Sequence, residues 1–190
     1  VVEYPQFEFL ADEVWPHFAY GRNALYQTGH HGNAILSKYP FEEWDNTDVS
    51  QWRFSQRGVL LGKLAIGVYV VCTHFGLLAR ERKRQLAHLL ELLACRVPPT
   101  APLIIAGDFN DWSGSLDREI RRRAGLKDVY REVYGRRAKT FPAKFPIFAM
   151  DRIYFRNMNL VDAEVLSGMP WQQLSDHCAL YAEFQVLAST

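Results

Sequence analysis

Apolar positions recur along this chain in two periods, and each change of period marks a new element. In "QFEFLADEVW", residues 6–15, Phe7, Leu10, Ala11, Val14 and Trp15 fall at helical spacing. Pro5 precedes them, where a missing N–H does no harm to a helix. An amphipathic helix is expected there. "NAILS" at 33–37, "GVLLGKL" at 58–64 and "IGVYVVCTH" at 66–74 are short apolar or β-branched runs broken by glycine, and the last two read as paired strands. The helical period returns over 79–95, with Leu86, Leu89, Leu90 and Leu93 on one face and charges on the other. "VPPTAP" at 97–102 stops that helix, because proline biases the residue before it away from helical geometry and lacks the interior donor. A strand, "LIIAGD" at 103–108, follows; a short helix is expected over 115–124 and strands over 150–155, 159–166 and 178–186. No repeat, low-complexity tract or linker intervenes, so the pattern predicts one α/β domain over residues 1–190.

Composition narrows the function classes. With 190 residues, 48% of them hydrophobic, the chain can bury a sizeable core and global disorder is excluded. A formal charge of +1 provides no whole-molecule field, so any anionic partner must be recognised locally. Cys72, Cys95 and Cys178 are far apart and form no CxxC, which suggests neither a disulfide framework nor a zinc site. A reducing, cytoplasmic setting is the expectation. No apolar run reaches the roughly 18 residues that span a bilayer. The start "VVEYPQFEFL" lacks a signal peptide's basic region and long apolar stretch, and it lacks Met, so a processed product or fragment is expected.

Four polar clusters stand at predicted strand ends: "CTHF" with His74, "GDFN" with Asp108 and Asn110, "MDRI" with Asp151, and "LSDH" with Asp176 and His177. Alone, each reads as a turn or cap. Their repetition carries the signal. Converging imidazoles can hold or protonate the oxygens of an anionic group, and an amide can donate to it. Carboxylates can orient a histidine, take a proton from water or ligate a hard divalent cation. That inventory suits phosphate ester hydrolysis. It suits acyl transfer poorly, since no nucleophile elbow is present, and Walker A and GxGxxG sequences are absent.

The ordered set "HHGNAILSKYP", "VVCTHF", "LIIAGDFND", "MDRIYF" and "LSDHCALYAEF" resembles the endonuclease/exonuclease/phosphatase superfamily over positions 30 to 184. The wording is most like that of small bacterial members. This resemblance implies a four-layer αββα sandwich of the DNase I-like type with a Mg²⁺ (or Mn²⁺) dependent site at its strand ends. It implies that Asp108 orients or deprotonates the attacking water and that Asn110 donates to that water or to the phosphate. His74 and His177 would contact phosphate oxygens, Asp151 would hold the ring of His177, and Asp176 would lie at the metal. One departure stands out. The Asn and the metal-binding Glu of a "QE" motif, which members carry on their first strands, are missing, so the resemblance implies that one or two N-terminal strands are absent.

The remaining features leave alternatives open. His30, His31, Asn33 and Trp112 are candidates for substrate contact; the histidines equally fit loop polarity, Asn33 with Gly32 would shape the start of a strand, and Trp112 would pack beneath the Asp108 loop. Residues 117–139 hold nine Lys or Arg against four Asp or Glu, read first as a solvated face and second as a nucleic-acid or anionic-lipid contact. In "KTFPAKFPIFAM", 139–150, core packing is expected for most of the phenylalanines, an exposed subset being suited to base stacking or a lipid interface. Two functions compete: a metal-dependent phosphodiesterase acting on nucleic acid, phospholipid or a small molecule, and a binding protein on the same fold without the main metal ligand.

Overall fold

The computed structural model describes residues 15–26, 29–52 and 55–187, so the helix expected over 6–15 lies outside the described residues. Ten strands are present among them: β1 (His17–Tyr26), β2 (Gly29–Ser37), β3 (Phe41–Asp48), β4 (Gly58–Leu64), β5 (Tyr69–His74), β6 (Leu103–Asp108), β7 (Lys127–Asp128), β8 (Asp151–Arg156), β9 (Met158–Leu166) and β10 (Ala179–Val186). The helices are α1 (Ala79–Arg96), α2 (Asp117–Ala124), α3 (Val129–Tyr134) and α4 (Trp171–Leu174). A six-stranded sheet of order β3-β4-β5-β6-β8-β7 forms the centre, and β1-β2 and β9-β10 form two antiparallel pairs. The architecture is mixed α/β. Among the described strands only β5 and β6 run parallel, joined through α1.

Period-2 alternation divides the sheet's side chains between two cores. Tyr69, Val71, Leu103, Ile105 and Tyr154 point to one face, where Leu86, Leu89, Leu90 and Leu93 of α1 and Ile120 of α2 cover them. Val70, Ile104, Ala106, Ile153 and Phe155 point to the other, against Ala163, Val165, Leu180 and Phe184 of the β9-β10 pair. The β1-β2 hairpin lies beside β3, β4 and β5, and Asn33 fastens it by donating to the carbonyls of Gly58 (2.8 Å) and Cys72 (3.3 Å). Helices, sheet and paired strands therefore stack as three layers among the described residues.

β1, β7 and α4 were not expected, and β2 opens at Gly29, so that His30 and His31 lie in a strand and not in a loop; three further elements depart from the expected pattern. β3 is a mainly polar run whose side chains are mostly exposed, with Phe41 alone packed against the core, so it carries little core signal and is held by edge pairing to β4. The strand expected to open at Ile66 begins at Tyr69, because Gly67 adopts φ 79° in the turn from β4. α3 is a single six-residue segment capped by Asp128, whose carboxylate accepts from the Arg131 N–H at 2.9 Å. In the basic stretch 117–139, several cations are spent internally: Arg121 and Arg131 on Asp117, Arg123 on Glu119, Lys127 on Glu132. This pairing suits a solvated face.

Candidate functional site

Strand register builds the site. His74 closes β5 opposite Asp108 at the end of β6, and Asp108 faces Asp151 at the start of β8. All three stand in one cross-strand row on the face shared with the β9-β10 pair. The row demands a glycine, since a Cβ at Gly107 would overlap the Thr73 carbonyl of the neighbouring strand. His177 arrives from the far side, just ahead of β10, and its Nδ1 meets Asp151 Oδ2 at 2.7 Å. Backbone bonds brace this approach: Cys178 N–H donates to the Thr140 carbonyl and Ala143 N–H to that of Asp176. His74 Nε2 lies 3.5 Å from Asp108 Oδ2. Residues more than a hundred positions apart thus share one centre.

The two histidines are shifted in opposite directions. The hydrogen bond to Asp151 raises the His177 pKa above its usual 6.5, outweighing burial. Burial, with the nearby charge of Arg57, pushes His74 down to about 4; its ring is 45% exposed, and solvent moderates this effect without reversing it. Asp108 is raised above the ordinary carboxylate range, first by burial and further by Asp151, although the Asn110 N–H donated to Oδ1 at 2.8 Å opposes the shift.

Each remaining expected residue has a definite place. Asn110, 3% exposed and at φ 49°, turns inward and donates from Nδ2 to the Phe75 carbonyl at 2.8 Å, so it ties the loops after β5 and β6 together instead of facing open space. Asn33 is buried and spent on two carbonyls, which makes it a clamp between layers. His30 Nδ1 shares a 2.7 Å hydrogen bond with the Tyr20 hydroxyl, whereas His31 lies within electrostatic reach of His74. Trp112 is 47% exposed, with the Arg82 guanidinium 4.9 Å from its ring. Asp176 is exposed and stands outside the cluster of possible metal ligands. That cluster is Asp108, Asp151 and His177, whose ligand atoms lie within 4.8 Å of one another. Arg57 was not anticipated. It precedes β4 and acts electrostatically on both His74 and Asp108; no motif marks it, and only the pairing of β4 with β5 brings it near.

The sequence profile of the endonuclease/exonuclease/phosphatase family matches residues 2–177. This chain belongs to that family. The fold of this family is one that hosts hydrolases. YbhP, an uncharacterized protein of Escherichia coli, is 42% identical over 185 residues, 95% of this chain and 73% of that protein. Among solved structures, a humanized D. rerio TDP2 superposes with a TM-score of 0.74 at 19% identity, covering 95% of this chain and 81% of that one. A mannosyl-6-phosphatase of Bacteroides thetaiotaomicron gives 0.72 at 17% identity, with 95% and 81% covered. A family structure from Beutenbergia cavernae also gives 0.72 at 17% identity; it covers 94% of this chain, which spans only 56% of its length. These likenesses establish the DNase I-like fold.

The donor chemistry of the cluster fits a hard divalent cation. Two carboxylates converge on one spot, and Asp108 is raised first by burial and further by the Asp151 charge, a cost to its ionised form that a cation would offset.

Proposed function

We propose that this protein is a divalent-cation-dependent hydrolase of phosphate esters, acting most naturally on phosphodiesters. The single observation that carries this reading is the row His74–Asp108–Asp151 with His177 hydrogen-bonded to Asp151 at its end. Asp108 Oδ1 is occupied by the Asn110 N–H, which leaves Oδ2 to orient the attacking water and accept its proton. Asp151 keeps the proton of His177 on Nδ1, so that Nε2 faces the substrate and the imidazolium form is favoured. Positive charge on the nonbridging oxygens then comes from His177 and Arg57, while His74, neutral at pH 7, contributes a hydrogen bond. Asn110 acts through the loop it shapes.

Mg²⁺ or Mn²⁺ would be held by Asp108 and Asp151; when bound, it offsets the phosphate's negative charge and so lowers the barrier to attack. Support for this chemistry comes from relatives on the same fold, one solved with a single strand DNA product and another named as a mannosyl-6-phosphatase. Nucleic acid, phospholipid and small phosphate esters share the reacting group.

Hydrolysis of bis-aryl and mono-aryl phosphates with Mg²⁺ tests the reading. Turnover should be faster on the diester, and Asp108→Ala and His177→Ala should each lower kcat by about 10²–10⁴-fold while leaving the fold intact. Substrate-analogue binding without turnover in the unaltered protein would instead mark it as a binding protein on this fold.

A further inference from the structure

Between Asp48 and Glu91 the chain carries seven Lys or Arg and a single acid, Glu81. The fold buries that acid, whose carboxylate accepts from the Ser55 hydroxyl at 2.8 Å, and leaves Arg80, Lys83 and Arg84 exposed on one face of α1. Many cations of 117–139 are paired with acids, but none of these three meets a carboxylate among the described residues; Arg84 donates to the neutral Gln51 amide at 3.2 Å. Helix stability does not call for Arg80 in the first turn, since the positive end of a helix disfavours cations. The row begins beside the reaction centre, for only residues 75–78 separate His74 from α1. The Ser55–Glu81 bond ties the first turn of α1 to the segment that carries Arg57, and Gln85 accepts from the Gly76 N–H at 2.8 Å. On the other side Arg82, buried and donating to the Leu77 carbonyl, sets its guanidinium 4.9 Å from the ring of Trp112, on the loop that follows Asp108 and Asn110. Trp112 is fixed there while 47% exposed.

Charge and direction identify the occupant. Because β5 and β6 are parallel, α1 runs back from the end of β5 towards the start of β6, so its cations lead away from the centre. Such a row matches a linear polyanion, one phosphodiester of which lies at Asp108 and His177 while its neighbours continue along the helix. Trp112 offers a ring on which an unpaired base can stack, and Leu77 and Leu78, 63% and 57% exposed, suit contact with sugar or base faces. A bilayer fits this surface less well. Interfacial helices bury an apolar face in lipid, and that of α1, Leu86, Leu89, Leu90 and Leu93, is spent on the core. We propose that the first two turns of α1 and Trp112 bind single-stranded nucleic acid, the cations taking phosphates next to the one in the reaction centre. That the bound strand is also the substrate rests on the phosphoesterase reading; the binding does not.

The test is fluorescence anisotropy with a labelled oligo(dT) of about 12 nucleotides in EDTA, which removes metal and so prevents cleavage. Hydrolysis of a bis-aryl phosphate with Mg²⁺ by the unaltered protein is followed separately. The unaltered protein should bind the strand, with affinity falling as salt rises. Arg80→Gln, Lys83→Gln and Arg84→Gln combined should weaken binding about tenfold or more and cut the slope of log affinity against log salt by about 2, since each phosphate contact contributes about 0.7. Trp112→Ala should weaken binding about tenfold with the slope unchanged. Both variants should keep the thermal midpoint, because the altered side chains lie at the surface. Absence of strand binding, or unchanged affinity in either variant, overturns the proposal. So does variant-sensitive binding to phosphatidylglycerol vesicles without binding to the oligonucleotide, which would assign the face to lipid. Ester hydrolysis without strand binding overturns this proposal alone, whereas variant-sensitive strand binding by a protein that hydrolyses no ester upholds the binding and removes the phosphoesterase reading.

Discussion

At His177 a carboxylate outweighs burial, and at His74 burial outweighs the carboxylates, so two imidazoles in one site are shifted in opposite directions from the usual 6.5. The cause is local: His177 owns a 2.7 Å bond to Asp151, whereas His74 stands 3.5 Å from Asp108 and within reach of Arg57. An NMR titration of the metal-free protein should therefore find His177 titrating above 6.5 and His74 below it, with Asp151→Asn bringing His177 down. The signs for stability are opposite. Because the folded value of His177 is raised, its contribution is fully present below the unfolded value of 6.5 and is lost as pH rises through the folded value. For His74 the unfolded chain binds the proton more readily, so acidification from 6.5 towards 4 works against the fold. A His177 resonance unmoved by Asp151→Asn would refute the pairing. Residue types in "CTHF", "GDFN", "MDRI" and "LSDH" announced these participants; Arg57 went unannounced because an arginine before a strand has no distinguishing neighbours.

Elements hold the site through a buried pair that the motifs only border. Arg152, next to Asp151, lies on the α1 side of β8 with its side chain 1% exposed, and its Nη2 donates to the Asp111 carbonyl at 2.7 Å while standing 3.6 Å from the Asp111 carboxylate. Nη1 donates to the Ala149 carbonyl at 2.8 Å. Asp111 in turn accepts from Ser115 and Leu116 N–H groups, so one contact joins the loop after β6 to the start of β8. Removing a partner from a buried pair strands the other charge, and Arg152→Met should cost about 3–5 kcal/mol in urea unfolding with an unchanged m-value. A loss below about 1 kcal/mol would show the pair to be dispensable. Strands with apolar alternation, such as β5 and β6, were legible in advance. β3 was not, because an exposed edge strand owes its existence to a neighbour's free hydrogen-bonding groups and not to its own side chains.

Across the whole molecule, the reaction centre sits where the helix-backed sheet, the β9-β10 pair and the β1-β2 hairpin adjoin, and no single layer contains it. Ligand binding there should stabilise all layers at once. At a Mg²⁺ concentration about 100 times its dissociation constant, linkage adds about 2.7 kcal/mol, which for a chain of this size raises the melting midpoint by about 5–10 °C. Combining Asp108→Asn with Asp151→Asn should abolish that rise in a fluorescence melt. An equal rise in the double variant would place the ion elsewhere, with Asp176 the next residue to alter. Among the described residues no helix is long and apolar enough to cross a membrane.

The alternation of side chains and the punctuation by glycine and proline were enough to locate α1, β4 to β6 and β8 to β10, because those elements bury a face and their own residues must supply it. The reactive types, and the family they resemble, were equally plain in the order of short motifs. Where those types go was another matter. Asn33 and Asn110 point into carbonyls, Asp151 takes His177, and Phe145 faces solvent; the three hydrogen-bonded residues find partners 25 to 39 positions away. Hydrogen bonds and burial are settled by what lies opposite, and a linear pattern holds no record of that.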